Sequence, residues 1–292
     1  MNEENLLTVI IPAYNEGSSL PLLLPGLVAY CSERQWKIII VNDGSRDDTR
    51  EILGRYSASG NFRTIHHKLN KGYGAALKTG LLACDTEYAV TIDADGQHYL
   101  DDIDKLLDCM ITRDADLVVG SRRGSESVSY RGIGKSIIRT LAKVLMTVPI
   151  HDLNSGMKVY NTVLVKKYLH LAPDTMAFSD IITLVFINNR HLVLEESIRI
   201  RARKFGNSTI SLQTAFQTIM EIVNIVILFN PMKIFLPLSL ICFIITGLWG
   251  TPLLIAGRGL SIGSLLGVIM GILLFLLGLI AEQLSQIRRN QR

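Results

Sequence analysis

The amino-acid sequence predicts an α/β domain built on a largely parallel sheet, followed by a two-helix apolar hairpin long enough to span a membrane. Three observations predict it. Short apolar runs alternate with helical patterns from residue 7 to about residue 120, the pattern of successive βαβ units. Several of those runs end in clusters of Asp, Asn and Gly. Residues 234–280 carry one charged side chain, Arg258, in a chain that is 19% charged overall.

Taken in order, residues 7–11, 38–41, 63–65, 88–92 and 117–119 read as strands, each a short apolar or β-branched run. Residues 18–30, 46–56, 72–84 and 101–113 lie between them and read as helices. Past residue 122 the alternation stops. Residues 125–129 form a polar loop, and residues 131–148 carry Arg131, Lys135, Arg139 and Lys143 at intervals of four. Those four cations share one helical face, which suits an anionic membrane surface or a solvated face of a globular helix. Residues 210–229 form a second amphipathic stretch, with Phe216, Ile219, Met220, Val223 and Ile227 set against Gln213, Gln217, Glu221 and Asn224. Its position just before the apolar tail favours an interfacial helix.

The tail divides into spans of about 234–256 and 262–284, joined by the short connector 257–261. Each is close to the roughly 20 residues that cross a bilayer core of about 30 Å. Both are apolar all round, whereas soluble helices keep a polar face. Lys233 precedes the first span, and Arg288, Arg289 and Arg292 follow the second. That bias places the large domain and both termini on the cytoplasmic side of the membrane. The opening Met-Asn-Glu-Glu-Asn has no basic-then-apolar signal. Cys31, Cys84, Cys109 and Cys242 lack metal-type spacing and read as reduced cysteines of a cytosolic protein.

The strand ends carry the chemistry. The fourth predicted strand runs into Asp93-Ala94-Asp95-Gly96-Gln97-His98. Ligands of open α/β sheets bind just beyond the carboxyl ends of the strands. Two carboxylates and an amide there make a hard-oxygen site for Mg²⁺ or Mn²⁺ completed by substrate phosphates; a plain strand-end turn is the other reading. The first strand runs into Pro12-Ala13-Tyr14-Asn15-Glu16 and the second into Asn42-Asp43-Gly44-Ser45, where a nucleotide would sit. There Asp43 could accept the ring N–H of a base and Glu16 could hold ribose hydroxyls. Asn70-Lys71-Gly72-Tyr73-Gly74 opens a helix, so its backbone amides and Lys71 suit a phosphate. It lacks the Lys-Ser/Thr of a phosphate loop.

Pro-Ala-Tyr-Asn-Glu, Asn-Asp-Gly-Ser, Asn-Lys-Gly-x-Gly-Ala-Ala and Asp-Ala-Asp-Gly-Gln-His, in this order, resemble glycosyltransferase family 2. Gly120-Ser121-Arg122 and the segment 152–157 (Asp-Leu-Asn-Ser-Gly-Met) extend the match. The likeness covers nearly all the soluble part. It is closest to the polyprenyl-phosphate group, which includes dolichyl-phosphate mannose synthases and bacterial undecaprenyl-phosphate glucosyl and aminoarabinosyl transferases. It implies a Rossmann-like nucleotide-diphospho-sugar transferase fold (GT-A) over residues 1–208, a juxtamembrane amphipathic helix over 209–232 and a transmembrane hairpin with a basic tail over 233–292. It further implies an inverting transfer from a nucleotide-diphosphate sugar, UDP favoured over GDP, to polyprenyl phosphate.

Residue by residue, the resemblance implies that Asp93, Asp95 and Gln97 hold the metal and the donor diphosphate. Pro12, Tyr14, Glu16 and Asp43 form the nucleoside pocket, with Lys71 and Arg203 near the diphosphate. Arg122, Arg131 and Ser136 meet the lipid phosphate, and Asp152 and Asp180 orient the reacting groups. A homo-oligomer, as a tetramer, follows from the same likeness, with membrane lipids as partners and no nucleic acid. Two other functions compete. One is a non-processive transferase acting on a glycan or glycolipid hydroxyl, with Asp152 as base; Trp36 and Trp249 do not complete the Gln-x-x-Arg-Trp of processive synthases. The other is a non-catalytic membrane scaffold, against which the intact Asp93, Asp95 and Gln97 set argues.

Overall fold

The computed structural model describes residues 6–56, 60–122, 150–201, 230–257 and 261–290, together with 223, 227 and 259 singly. These divide into two compact units, one carrying the sheet and the other the two C-terminal helices. The amphipathic stretches predicted over 131–148 and 210–229 lie outside the described residues, apart from Val223 and Ile227.

The sheet has seven strands in the order β3-β2-β1-β4-β6-β5-β7. They are β1 Leu7–Ala13, β2 Lys37–Asn42, β3 Phe62–His66, β4 Tyr88–Thr91, β5 Leu117–Ser121, β6 Lys158–Asn161 and β7 Val193–Ser197. Strands β1 to β4 pair in parallel, as do β5 and β7. The exception is β6, which runs antiparallel to both β4 and β5. It enters the sheet from the edge at which its neighbours leave. Residues 122–157 thus depart from and return to the same rim.

Why these segments are strands is plain in β1, where all seven residues are buried. Parallel sheets are covered on both faces, so their strands are apolar throughout. Val9 and Ile11 join Ile38, Ile40, Val90 and Val118 in one core with α1 (Leu20–Glu33), α2 (Thr49–Gly54) and α4 (Asp101–Thr112). On the opposite face, a Cβ on Gly80 of α3 (Tyr73–Ala83) would collide with Ile10 and stand 3.4 Å from Val41. The helix therefore lies close enough to the sheet that only glycine fits there. The first turn of α4 holds Asp101, Asp102 and Asp104, which complement the positive end of the helix dipole. Two further helices follow β6. In α5 (Thr162–Tyr168), Asn161 caps the start by accepting from Leu164 N; α6 (Phe178–Asn188) is buried along most of its length.

The second unit holds α7 (Met232–Ile255) and α8 (Ile262–Asn290). Residues 232–255 and 262–287 are long and apolar enough to cross a membrane, with mean hydropathies of 2.0 and 2.7. Glycines let them approach closely. A Cβ on Gly271 would come within 2.8 Å of Phe243, and Ser239 Oγ donates to Gly271 O at 2.8 Å. Small residues and short polar contacts are how helices pack where lipid surrounds them.

Candidate functional site

The rim at the carboxyl ends of β1, β2 and β4 gathers most of the predicted residues. Asp43 N donates to Ala13 O at 2.8 Å, joining the turns that follow β1 and β2. Side chains lace the same turns: Ser45 Oγ accepts from Asn15 N at 2.9 Å, and Asn15 Oδ1 accepts from Arg46 N at 2.9 Å. Thr49 Oγ1 accepts from Glu16 N, and Asp47 Oδ2 from Gly17 N, both at 2.9 Å. Burial pushes the Asp47 carboxyl up, and bonds from Thr49 and Gly17 outweigh it to hold the pKa low. Asn15 sits at φ 56°, the left-handed region that Asn tolerates better than most residues. Pro12 is buried at the end of β1, Glu16 is half-buried, and Tyr14 stands 42% exposed.

Asp43 is buried, and its carboxylate accepts from His67 Nδ1 (2.6 Å), Lys71 N (2.9 Å) and Gly72 N (2.8 Å). A carboxylate has about four acceptor positions, so three are committed to shaping the 70–72 turn. The glycines of that turn also have a structural account. A Cβ on Gly74 would meet the 173–175 backbone, with Asp174 C at 2.8 Å, and Ala75 N already donates to Asp174 O at 3.2 Å. The start of α3 thus receives the 173–175 segment rather than presenting open amides. The Lys71 residue is exposed beside it.

At the end of β4, Asp93 Oδ1 accepts from the Tyr73 hydroxyl at 2.9 Å, and Oδ2 lies 3.5 Å from His98 Nε2. Burial pushes the Asp93 pKa up; His98, Tyr73 and Arg122 outweigh it and hold the carboxyl below its ordinary value. Burial and Asp93 together push the Tyr73 phenol well up, so it stays a proton donor. Asp95 Oδ1 accepts from Gln97 N at 3.1 Å. Gln97 is tied to Arg201 twice: its carbonyl accepts from Arg201 N at 2.9 Å, and its Nε2 donates to Arg201 O at 3.3 Å. The Arg201 guanidinium lies 4.3 Å over the Tyr99 ring.

Among the described residues no three His, Cys, Asp or Glu side chains gather as a metal cluster. Mg²⁺ is normally held by one or two carboxylates plus substrate phosphates, so the Asp93 and Asp95 pair has the right donor type and number. The ring nitrogen His98 Nδ1 is buried without a partner among the described residues. Such atoms are uncommon in native interiors and mark this strand end as unlike an ordinary turn.

Arg122, just past β5, and Asp152 form a two-pronged pair. Nε and Nη2 donate to the two carboxylate oxygens, each at 2.7 Å, and Nη2 also reaches Asn154 O at 3.3 Å. Asp152 N in turn donates to Glu195 Oε1 at 2.9 Å. Burial pushes the Asp152 pKa up, and Arg122 outweighs it, leaving a firmly ionised carboxylate. Such a group orients its partner and is a poor proton acceptor. The two meet across 30 residues of sequence, a pairing that no local pattern announces. Gly156 packs against the Asp93 carboxyl, where a Cβ would lie 2.7 Å from Cγ. Lys158 and Asp180 complete this side of the rim; Lys158, fully buried, was not among the predicted residues because lysine in a sequence reads as surface. Arg131, Ser136 and Arg203 lie outside the described residues.

Residues 8–169 match the model of glycosyl transferase family 2, and residues 230–287 match that of the GtrB C-terminal hairpin. The chain is 30% identical over 169 residues to the dolichyl-phosphate beta-glucosyltransferase ALG5A of Trichomonas vaginalis, covering 53% of this chain and 52% of that one. It thus spans about half the length of that curated relative. An undecaprenyl-phosphate 4-deoxy-4-formamido-L-arabinose transferase of Pseudomonas syringae pv. syringae is 27% identical over 278 residues, covering 94% of this chain and 74% of that one. Among solved structures, the glucosyl-3-phosphoglycerate synthase of Mycobacterium tuberculosis with Mn²⁺, UDP-glucose and phosphoglyceric acid superposes with a TM-score of 0.57 at 18% identity. That superposition covers 76% of this chain and 80% of that one, which establishes the shared GT-A fold. With more than half its length inside the family model, the strand-end motifs on one rim and the matched C-terminal hairpin, this chain belongs to glycosyltransferase family 2.

Proposed function

We propose that the protein transfers a sugar from a nucleotide-diphosphate sugar, with UDP as its nucleotide, to polyprenyl phosphate at the cytoplasmic face of a membrane, with inversion at the anomeric carbon. The observation that carries this reading is the Arg122–Asp152 pair on the same rim as Asp93 and Asp95. A hydroxyl acceptor needs a base to take its proton, and Asp152, the candidate, is held ionised by a guanidinium. A phosphate acceptor is already an anion and needs a cation to receive it, which Arg122 supplies. The apolar hairpin and the names of the relatives, which act on dolichyl or undecaprenyl phosphate, support a lipid-borne phosphate.

The chemistry follows from the residues. The turns after β1 and β2 seat the nucleoside, and Asp93 and Asp95 face the donor diphosphate, with Mg²⁺ or Mn²⁺ as the ion they would hold. Such an ion supplies positive charge to the departing diphosphate. The acceptor phosphate oxygen attacks the anomeric carbon from the face opposite the leaving group, and Arg122 holds that phosphate while Asp152 fixes the guanidinium. Tyr73 and His98 keep Asp93 ionised and in place.

The test is a panel of labelled nucleotide sugars incubated with the purified protein, undecaprenyl phosphate and Mg²⁺ or Mn²⁺, followed by organic extraction. Label enters the organic phase with one donor, and both a chelator and Asp95→Ala abolish that transfer while the protein stays folded. No extracted label with any donor sinks the reading, and full activity of Asp95→Ala sinks the metal assignment.

A further inference from the structure

Lys158 is a charged side chain with no exposed surface. It opens β6, the one reversed strand, at the rim of the site. Its Nζ donates to Leu153 O (2.7 Å), Ser179 O (2.5 Å) and Thr183 Oγ1 (2.7 Å). The Thr183 hydroxyl gives its own proton to Ser179 O at 2.9 Å, so towards Lys158 it can only accept. Three acceptors match the three N–H bonds of an ammonium, and a neutral amine would leave one unmet. The charged groups facing it are Asp180 of α6, Asp152 of the preceding loop and Arg122 beyond β5. Burial, and to a smaller degree Arg122, pull its pKa down, while Asp180 and Asp152 push it up.

An apolar side chain would fill the same space without the cost of burying an ammonium, so space filling alone does not account for a lysine here. What the ammonium does is tie the chain. Leu153 is bound to α6 through Lys158, Ser155 O accepts from Ser179 Oγ at 2.7 Å, and Gly156 O accepts from Thr91 Oγ1 at 2.8 Å. Those anchors fix the segment between Asp152, which grips Arg122, and Gly156, which abuts Asp93. The nucleoside turns after β1 and β2 are laced by other groups and do not touch Lys158.

We propose that Lys158 is a positioning residue for the acceptor phosphate: by pinning Leu153 to α6 it sets where Asp152 holds the Arg122 guanidinium. The inference rests on the reading of Arg122 as the acceptor-phosphate residue and adds to it a residue that never touches substrate. Its consequence is selective, because loosening Lys158 disturbs the acceptor side and spares the nucleoside side.

The experiment uses the full chain in detergent or lipid nanodiscs. It measures kcat and KM for undecaprenyl phosphate at a fixed, saturating level of the active nucleotide sugar, and UDP affinity by calorimetry. Lys158→Met lowers kcat/KM for the lipid phosphate by about 100-fold, the scale of a misplacement of about 1 Å, with UDP affinity within about two-fold of wild type. Lys158→Arg keeps the charge and several donors and recovers about ten-fold of that loss. Thr183→Val, nearly isosteric, removes one acceptor and lowers the same constant by about five-fold, again sparing UDP. An unchanged acceptor constant in Lys158→Met, or an equal loss of UDP affinity, overturns the positioning role. Should Lys158→Met fail to fold, an unchanged acceptor constant in Thr183→Val overturns it instead. Wild-type protein that labels no undecaprenyl phosphate refutes the acceptor reading itself, and the positioning role with it; wild-type turnover with unaltered variants refutes the positioning role alone.

Discussion

Gly156→Ala tests Asp93 without altering any group that would bind a ligand. Gly156 is not among the residues at positive φ, so alanine is acceptable to the backbone and the effect must come from its methyl group. That Cβ would stand 2.7 Å from Asp93 Cγ and 2.8 Å from Oδ1, and closer still to Oδ2. Non-bonded carbons settle at about 3.5–4.0 Å, so the carboxyl has to retreat by about 1 Å. It cannot do so freely. Tyr73 holds Oδ1 at 2.9 Å and His98 stands 3.5 Å from Oδ2, while Gly156 itself is anchored through its carbonyl to Thr91. A displacement of about 1 Å at a reacting centre costs about 100-fold in rate, and crowding of this kind costs about 1–3 kcal/mol in stability. The assay is transfer to undecaprenyl phosphate across a Mn²⁺ or Mg²⁺ titration, with thermal unfolding alongside. The variant should need more metal for half-maximal rate and turn over about 100-fold more slowly at saturation. Turnover within about two-fold of wild type, with the same metal dependence, would refute the placement of Asp93 in the site.

Two other perturbations probe the frame around it. Gly80→Ala drives a methyl into Ile10 where α3 lies against β1, so the urea midpoint should fall by an amount equivalent to about 1–3 kcal/mol while KM for both substrates holds. An altered KM would mean that α3 communicates with the site. For pH, Asp93, Asp152 and Glu195 all have folded pKa values below their ordinary ones. Each therefore adds stability that is complete above the unfolded pKa of about 4 and is lost as pH falls through the lower folded value. The urea midpoint should hold steady from pH 7 to about 5 and drop below about 4, and Asp152→Asn should shrink that drop. A decline that begins near pH 6 would assign the transition to other groups.

Most of the first five strands were legible because they are buried on both faces and read as apolar runs, as in β1 and β2, while β3, a partly exposed edge strand, was legible from the alternation with helices. The strands the reading missed break that rule. β6 is four residues long and begins with a buried lysine, and β7 carries Glu195 and Glu196 in its middle. Hydropathy cannot find a strand whose charges are neutralised by partners far along the chain. The same holds for the site. Asp93, Asp95 and Asp43 announce themselves by falling at strand ends, and Arg122 and Asp152 by motif. Their partnership, the bracing by Lys158 and the role of Gly74 in admitting the 173–175 backbone depend on tertiary neighbours.

The reversed strand has a consequence for how such a protein can diversify. Because β5 exits and β6 enters at one rim, residues 122–157 form a single excursion whose two ends are fixed by strand pairing. A crossover to a parallel strand would instead have to travel the height of the sheet and bring a covering helix with it. A connection that returns to its own rim is free of that duty. It can lengthen or shorten without shifting the register of either strand, because a longer connection adds only slowly to the entropy of closure. The sheet that carries the strand-end carboxylates is thereby decoupled from the connection between β5 and β6, and the two can vary independently.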